Sequence, residues 1–257
     1  MARVVIAGNG VTGKATSSLF YTDGVRMFDI DFDRENLSYH LKSSSFVILC
    51  LPSPTVNGKQ DLSAIDKWLG MIKTDAPSIS VIIRSTILPG TTDKLSKLYG
   101  LNIAHVPEFL TESTALEDAL NPEFLVVGAR DILLKEKVTQ LFINNSMMLT
   151  KKVIKCSPTT AELIKYSMNS FFALKVTMAN QLWDVAKEVG ANYDQVREVL
   201  ESHKWGSKNG WNVWHNQKRG FGGNCLPKDI EAFAGKFDLP LIDTMQEINK
   251  ELIKKSK

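Results

Sequence analysis

Cysteine is scarce in this chain. Cys50, Cys156 and Cys225 stand far apart and are odd in number, which excludes a disulfide framework. No Cys-x-x-Cys pair suggests zinc. The four histidines, His40, His105, His203 and His215, form no metal-ligating spacing and read as structural or surface residues. No apolar run approaches the roughly 18 residues that span a bilayer. The opening MARVVIAGNG is broken by glycine too soon for a secretory signal. A cytoplasmic protein without a membrane partner is therefore expected. A net charge of +3 is too small to argue for nucleic acid, and the terminal KKSK supplies much of it as a solvated end. Repeats and low-complexity segments are absent too. What is present is ordinary: 257 residues, 44% hydrophobic and 23% charged, enough for one large or two modest soluble domains.

The first stretch, RVVIAGNGVTGKATSSLF, reads as strand, tight turn and helix. Val4, Val5 and Ile6 form the strand. Gly8, Gly10 and Gly13 then make G-x-G-x-x-G, with Val11 and Thr12 between the last two. The first glycine permits the turn, the second lets a pyrophosphate approach the backbone, and the third lets helix and strand pack closely. Free N–H groups at the helix start favour an anion. The next strand, VRMFDI, leads to Asp29, about 20 residues beyond the glycines, where a carboxylate holds the ribose hydroxyls of NAD. Asp31 is the alternative. Arg34 is a further cofactor-side candidate, and as a cation it tempers the preference for NAD over NADP. The runs FVILCLP, SVIIRST, NIAHVP, FLVVGA and MMLTKKVIK alternate with helical stretches, which predicts a mostly parallel, doubly wound sheet over residues 1–156. LPSPT, with Pro52, and RSTILPGT, with Thr86, end strands where such sheets bind ligands.

After Cys156 the pattern turns helical. SPTTAELIKYSMNSFFALKVTMANQLWDVAKEVGA predicts one long helix, capped by Ser157 or Thr159 and ended by Gly190. Its apolar side is expected from Leu163, Tyr166, Phe172, Val176 and Leu182. Shorter helices follow, so residues 157–257 form an α-helical domain. By analogy, a long helix leaving a nucleotide domain packs against its copy in a homodimer, over residues 158–190. Lys165 and Asn169, four apart, share one helix face.

RGFGGNCLPKD, residues 219–229, is the other distinctive stretch. Pro227 suits a first helical turn, which puts Cys225 just before a helix N-terminus, where the local field favours thiolate. Gly222 and Gly223 leave room for a substrate. Lys228 or Lys165 adds positive charge nearby, and Asp229, one turn on, can hold a water or act as a base. On its own residues the loop reads equally as a turn with a filler cysteine.

The ordered set VVIAGNGVTG, FDID, LPSPT, DLS, RSTILPGT, VPEFLTESTALEDALNPEFLVVG, AELIKYSMNSFFALKV and RGFGGNCLPKD resembles the UDP-glucose/GDP-mannose dehydrogenase family across nearly the whole length. The resemblance implies a Rossmann-like NAD domain, then a helical central domain with the catalytic cysteine. It implies four-electron oxidation of the primary alcohol of a nucleotide-sugar to a carboxylate, using two NAD. Cys225 matches the family's nucleophile. Lys165 and Asn169 match its oxyanion donors, and Asp229 its water-positioning aspartate. Glu108 and Glu112 match its two glutamates, one of which assists thioester hydrolysis, and Thr86 its threonine. Thr86 and Glu112 also fall on the cofactor side with Pro52. Phe109, Leu110, Arg219 and Gly222 fall with Glu108 on the substrate side.

Three departures stand out. The family continues into a third, nucleotide-binding domain, and this chain stops near the end of the second, so a separate partner supplying that domain is one expectation. ESHKWGSKNGWNVWHNQK lacks the family's Asp-x-Arg-Ile-Gly, with Lys204 as a less specific substitute for the arginine. Asn224 and Leu226 replace the family's usual Ser or Thr and Phe beside the thiol. Trp205, Trp211 and Trp214 crowd the divergent stretch, either to stack on a base or sugar or to pack a satellite core. Two rival readings remain at this point: a two-electron hydroxyacid-type dehydrogenase built on Lys165 and Asn169, and a non-catalytic nucleotide-binding remnant.

Overall fold

The computed structural model describes residues 3–20, 25–28, 33–150 and 152–256. Asp29 and Asp31 lie outside the described residues. In chain order the elements are β1 (Val4–Ala7), α1 (Val11–Ser17), β2 (Val25–Phe28), α2 (Arg34–Ser43), β3 (Phe46–Leu49), β4 (Thr55–Val56), β5 (Lys59–Gln60), α3 (Ser63–Asp75), β6 (Ser80–Ile83), α4 (Thr91–Tyr99) and β7 (Ile103–His105). There follow α5 (Ala115–Leu120), β8 (Leu125–Gly128), α6 (Ile132–Asn144), β9 (Val153–Cys156), α7 (Pro158–Val189), α8 (Tyr193–Ser202), β10 (Trp214–His215), β11 (Lys218–Arg219), α9 (Leu226–Lys236) and α10 (Pro240–Lys254). The chain forms two compact units. One holds residues 1–54 and 60–165, the other 55–59 and 166–257.

The first unit is α/β. Among the described residues its sheet has seven strands in the order β2-β1-β3-β6-β7-β8-β9. All neighbours are parallel except β7 with β8, which pair antiparallel through His105 and Gly128. β1, β3 and β8 are buried along their whole length, as central parallel strands covered on both faces must be. β2 and β9 are less buried, and they are the edges. One core, built on Val5, Val47 and Val81, lies under α2, α3 and α4. The other, built on Ile6, Ile48 and Val127, lies under α1 and α6. Gly128 ends β8 where a Cβ would meet Ala161 and the Pro158 backbone, so the start of α7 packs directly on the strand end.

The second unit is helical. α7 starts at Pro158, where Ser157 Oγ accepts from the Thr160 N–H at 3.1 Å, and it stops at Gly190, φ 72°, after 32 residues. Its first eight residues belong to the first unit. The expected apolar side is only partly inward. Tyr166 and Val176 are buried, and Leu182 is half-buried against the cluster of Ala179, Ala186 and Trp211, but Leu163 and Phe172 face solvent at 45% and 37% exposure. Helical periodicity locates apolar residues on a cylinder without saying which stripe meets the core of the same chain. Phe221, Ile230 and Met245 gather around Ala173 and Val176. Tyr193, Trp211 and Val213 gather around Ala179 and Ala186. Trp211 thus belongs to a packed core, whereas Trp205 is 84% exposed. The 55–59 segment joins this unit through the Thr55 hydroxyl, which donates to the Lys228 carbonyl at 2.8 Å, and the Gly58 N–H, which donates to Glu231 at 2.9 Å.

Candidate active site

In the first unit, the glycine turn is shaped by close backbone approach. Gly8 has φ 100°, and a Cβ there would strike the Cys50 carbonyl. A Cβ on Gly13 would strike the Gly8 carbonyl. Gly10 is the N-cap of α1, carries no side-chain cap, and has open space where a Cβ would be. Val11 is exposed and Thr12 half-buried. This arrangement fits a dinucleotide: bare N–H groups at the helix start and a turn no side chain can enter. Cys50, just beyond β3, is pushed up to about 11 by burial, so it is no thiolate donor.

Two strand-end loops are tied together beside this turn. Ser85 Oγ accepts from the Leu51 N–H at 2.9 Å, and Ser53 Oγ donates to the Thr86 carbonyl at 2.8 Å. Pro52 stands exposed between Leu51 and Ser53, and Thr86 is itself buried. Arg34, at the start of α2, pairs with Asp75 at 3.1 Å.

After β7, the chain places Glu108 against Lys165, with Nζ and Oε1 3.4 Å apart and both side chains nearly buried. The Leu110 N–H donates to the other Glu108 oxygen at 2.7 Å. Lys165 Nζ also lies 5.4 Å from the centre of the Phe109 ring. Burial alone would raise the Glu108 carboxyl, but Lys165, the Leu110 N–H and nearby Arg84 outweigh it and hold it below the usual carboxylate range. Leu110 is half-buried, and Glu112 is exposed at the start of a 3-10 turn, Glu112–Thr114.

In the second unit, Cys225 is the N-cap of α9 and is exposed. Its carbonyl accepts from the Asp229 N–H at 3.0 Å, which closes the first turn. Pro227 occupies that turn. Asp229 is only 1% exposed, yet it is well partnered: Asn169 Nδ2 donates to one oxygen at 2.7 Å, and Lys228 pairs with the other. Gly222 and Gly223 precede the cysteine with open space at their Cβ positions. Arg219, expected on the substrate side, is buried at 5% exposure. Its guanidinium donates to Asn180 Oδ1 at 3.0 Å and to the Asn180 carbonyl at 2.9 Å, and pairs with Asp184 at 2.9 Å. Lys204 is exposed in a loop that Lys175 organises by donating to Ser207 Oγ at 3.0 Å and the Asn209 carbonyl at 2.7 Å. Motif reading passed over Asn180, Asn249 and Glu162, since each acts on backbone far away in sequence.

Among the described residues no cluster of His, Cys, Asp or Glu is suited to a metal ion, and no helix is long and apolar enough to cross a membrane. A mostly parallel sheet with a glycine fingerprint, followed in the chain by a helical unit, defines a Rossmann-like dinucleotide-binding class of protein. Residues 35–145 match the UDP-glucose/GDP-mannose dehydrogenase family, NAD binding domain, and residues 159–251 match the same family's central domain. The chain belongs to that family, and its cofactor is NAD. It is 32% identical over 225 residues to UDP-glucose 6-dehydrogenase of Rickettsia prowazekii, covering 82% of this chain and 48% of that one. It is 31% identical over 230 residues to GDP-mannose 6-dehydrogenase of Pseudomonas syringae, covering 81% and 51%. The chain thus spans about half the length of these relatives. A UDP-glucose dehydrogenase structure from Pyrobaculum islandicum superposes with a TM-score of 0.86 at 22% identity, over 98% of this chain and 68% of that one, and shares the fold.

Proposed function

We propose that this chain carries the NAD-binding and catalytic parts of a nucleotide-sugar 6-dehydrogenase, which oxidises the primary alcohol of a UDP- or GDP-linked sugar to a carboxylate. One observation carries the reading: Cys225 stands at the N-cap of α9, one turn ahead of a buried Asp229 that Asn169 holds in place. A two-electron dehydrogenase needs no thiol, whereas a four-electron one needs a nucleophile for the aldehyde.

NAD, when bound, accepts a hydride in each of the two oxidations. The protein's residues do the rest. A carboxylate removes the hydroxyl proton as the alcohol becomes an aldehyde, and Glu108, anionic beside Lys165, suits that task. The Cys225 sulfur adds to the aldehyde carbon. A C–S bond forms, the C=O π pair moves to oxygen, and Lys165 and Asn169 donate to that oxygen. Loss of the second hydride and the hydroxyl proton leaves a thioester. Water held by Asp229 adds to it, the C–S bond breaks, and carboxylate and thiol are released. The balance is one alcohol, two NAD and one water to one carboxylate, two NADH and three protons.

The second reading of quaternary structure follows from α7. Phe171, Met178 and Val185, each seven residues apart, are exposed along it at 53%, 45% and 53%, with Met168 and Val189 beside them. That apolar stripe supports a homodimer built on α7. The test of function is a panel of UDP- and GDP-sugars, scored as NADH formed per sugar acid. Two NADH per product support the proposal. One NADH, with product stopping at a carbonyl and Cys225→Ser fully active, overturns it.

A further inference from the structure

The cysteine loop enters through Arg219, Gly220 and Phe221, and all three are held by side chains remote in sequence. Asn249 of α10, 6% exposed, grips Phe221 at both backbone groups. Its Oδ1 accepts from the Phe221 N–H at 2.7 Å, and its Nδ2 donates to the Phe221 carbonyl at 3.0 Å. Only a carboxamide of this length supplies both partners at once: aspartate lacks the donor and leucine lacks both. Gly220, φ 79°, fits against the clamp from the other side, since a Cβ there would fall on Asn249 Oδ1. Asn180 Oδ1 takes the Gly220 N–H at 3.3 Å, and Ser256 Oγ takes the Arg219 N–H at 2.7 Å. The Phe221 ring is buried with Ala173, Val176, Ile230 and Met245.

Beyond Phe221 the chain opens out. Gly222 and Gly223 have nothing near their Cβ positions, Gly223 sits at φ 78°, and Asn224 and Cys225 are exposed. At the far side α9 takes over. The thiol-bearing segment thus runs from the Phe221 clamp to the first turn of α9. We infer that Asn249 is a positioning residue for Cys225: it fixes the near anchor of the loop, and Gly220 is its steric complement. The catalytic consequence rests on the function proposed above, whereas the clamp itself does not.

The test uses the full chain. In Asn249→Ala, amide exchange of residues 219–222 should rise about 10-fold or more, with α8 unchanged as reference. Iodoacetamide labelling of Cys225 at pH 7 should change at least threefold, with Cys156 in the same digest unchanged. If a sugar nucleotide is oxidised, kcat should fall about 10-fold while KM for NAD stays the same. Gly220→Ala approaches the clamp from the opposite side and serves where Asn249→Ala fails to fold. Its exchange and labelling effects should be smaller in an Asn249→Ala background than in the wild type. Unchanged exchange and labelling in both single variants would overturn the proposal. Altered labelling with no oxidation of any sugar would leave the clamp standing and count against the function instead.

Discussion

Asn169 Nδ2 donates to the Asp229 carboxylate at 2.7 Å, which ties the middle of α7 to the first turn of α9 directly behind Cys225. Asp229 is 1% exposed, and its oxygens are partnered by Asn169 and Lys228. Asn169→Ala should cost about 1–3 kcal/mol of stability, since it strips a charge-assisted donor from a buried acceptor. Under the proposed function it should also lower kcat about 100-fold, because that function gives Asn169 the role of an oxyanion donor. Denaturant unfolding and steady-state rates check the two effects separately. A variant with wild-type stability and wild-type rate would show that the bond does neither.

Cys225→Ser keeps a side chain of similar size at the N-cap position of α9, where the cysteine makes no cap hydrogen bond, and weakens the nucleophile. Under the proposed function, product carboxylate should fall by about 10³-fold or more, while NAD binding is unchanged. Intact-mass measurement of quenched wild-type turnover should reveal a sugar adduct on the peptide carrying Cys225. An adduct-free wild type with an active serine variant would remove the thiol from the reaction.

Gly13 is where a methyl group should matter most for the cofactor. A Cβ would drive into the Gly8 carbonyl and separate α1 from the turn after β1. Gly13→Ala should weaken NAD binding by at least about 10-fold, corresponding to roughly 1.4 kcal/mol. Gly10→Ala should leave the fold intact, because its Cβ would meet open space. Calorimetric titration with NAD distinguishes the two. Equal affinities in wild type and Gly13→Ala would contradict the fingerprint's geometry.

Local signals were readable in advance, and long-range ones were not. Gly8 and Gly13 announce a turn because no other residue tolerates that approach. Ser157 and Pro227 announce helix starts because each satisfies a local backbone need. Asn249, Asn180 and Glu162 gave no such signal. Each bonds backbone 28 to 72 residues away, so nothing in its own neighbourhood marks it. The 55–59 segment is similar. No motif marks it, yet its bonds go to Lys228 and Glu231, 173 residues on. Leu163 and Phe172 show the limit of periodicity, which finds an amphipathic helix but does not decide between a core and a free stripe. The bonds of Arg219 to Asn180 and Asp184 were likewise not legible, because they depend on where α7 passes.

Glu162 supplies a pH-dependent test. It is fully buried and accepts three hydrogen bonds at the start of α4: from the Gly90 N–H at 2.6 Å, the Thr92 N–H at 2.7 Å and the Thr92 hydroxyl at 2.6 Å. Burial raises its carboxyl from 4.5 to about 7, and those donors pull it back only in part. The folded chain therefore binds this proton more tightly than the unfolded chain does. Its contribution to stability is fully present below about pH 4.5 and is lost as pH rises through 7. The full span is on the order of 3 kcal/mol. His105 works in the opposite direction. Burial lowers it from 6.5 to about 3, so its contribution is present above pH 6.5 and is lost as pH falls toward 3. Wild-type stability alone mixes the two. The difference between wild type and Glu162→Gln isolates the carboxyl, because His105 is common to both. That difference should shift steadily against the wild type from pH 4.5 to 7 and flatten above, on top of a constant offset from the altered hydrogen bonds. Urea unfolding at half-unit pH intervals measures it, and parallel curves for the two proteins would show that Glu162 holds its proton no more tightly in the folded chain than in the unfolded one.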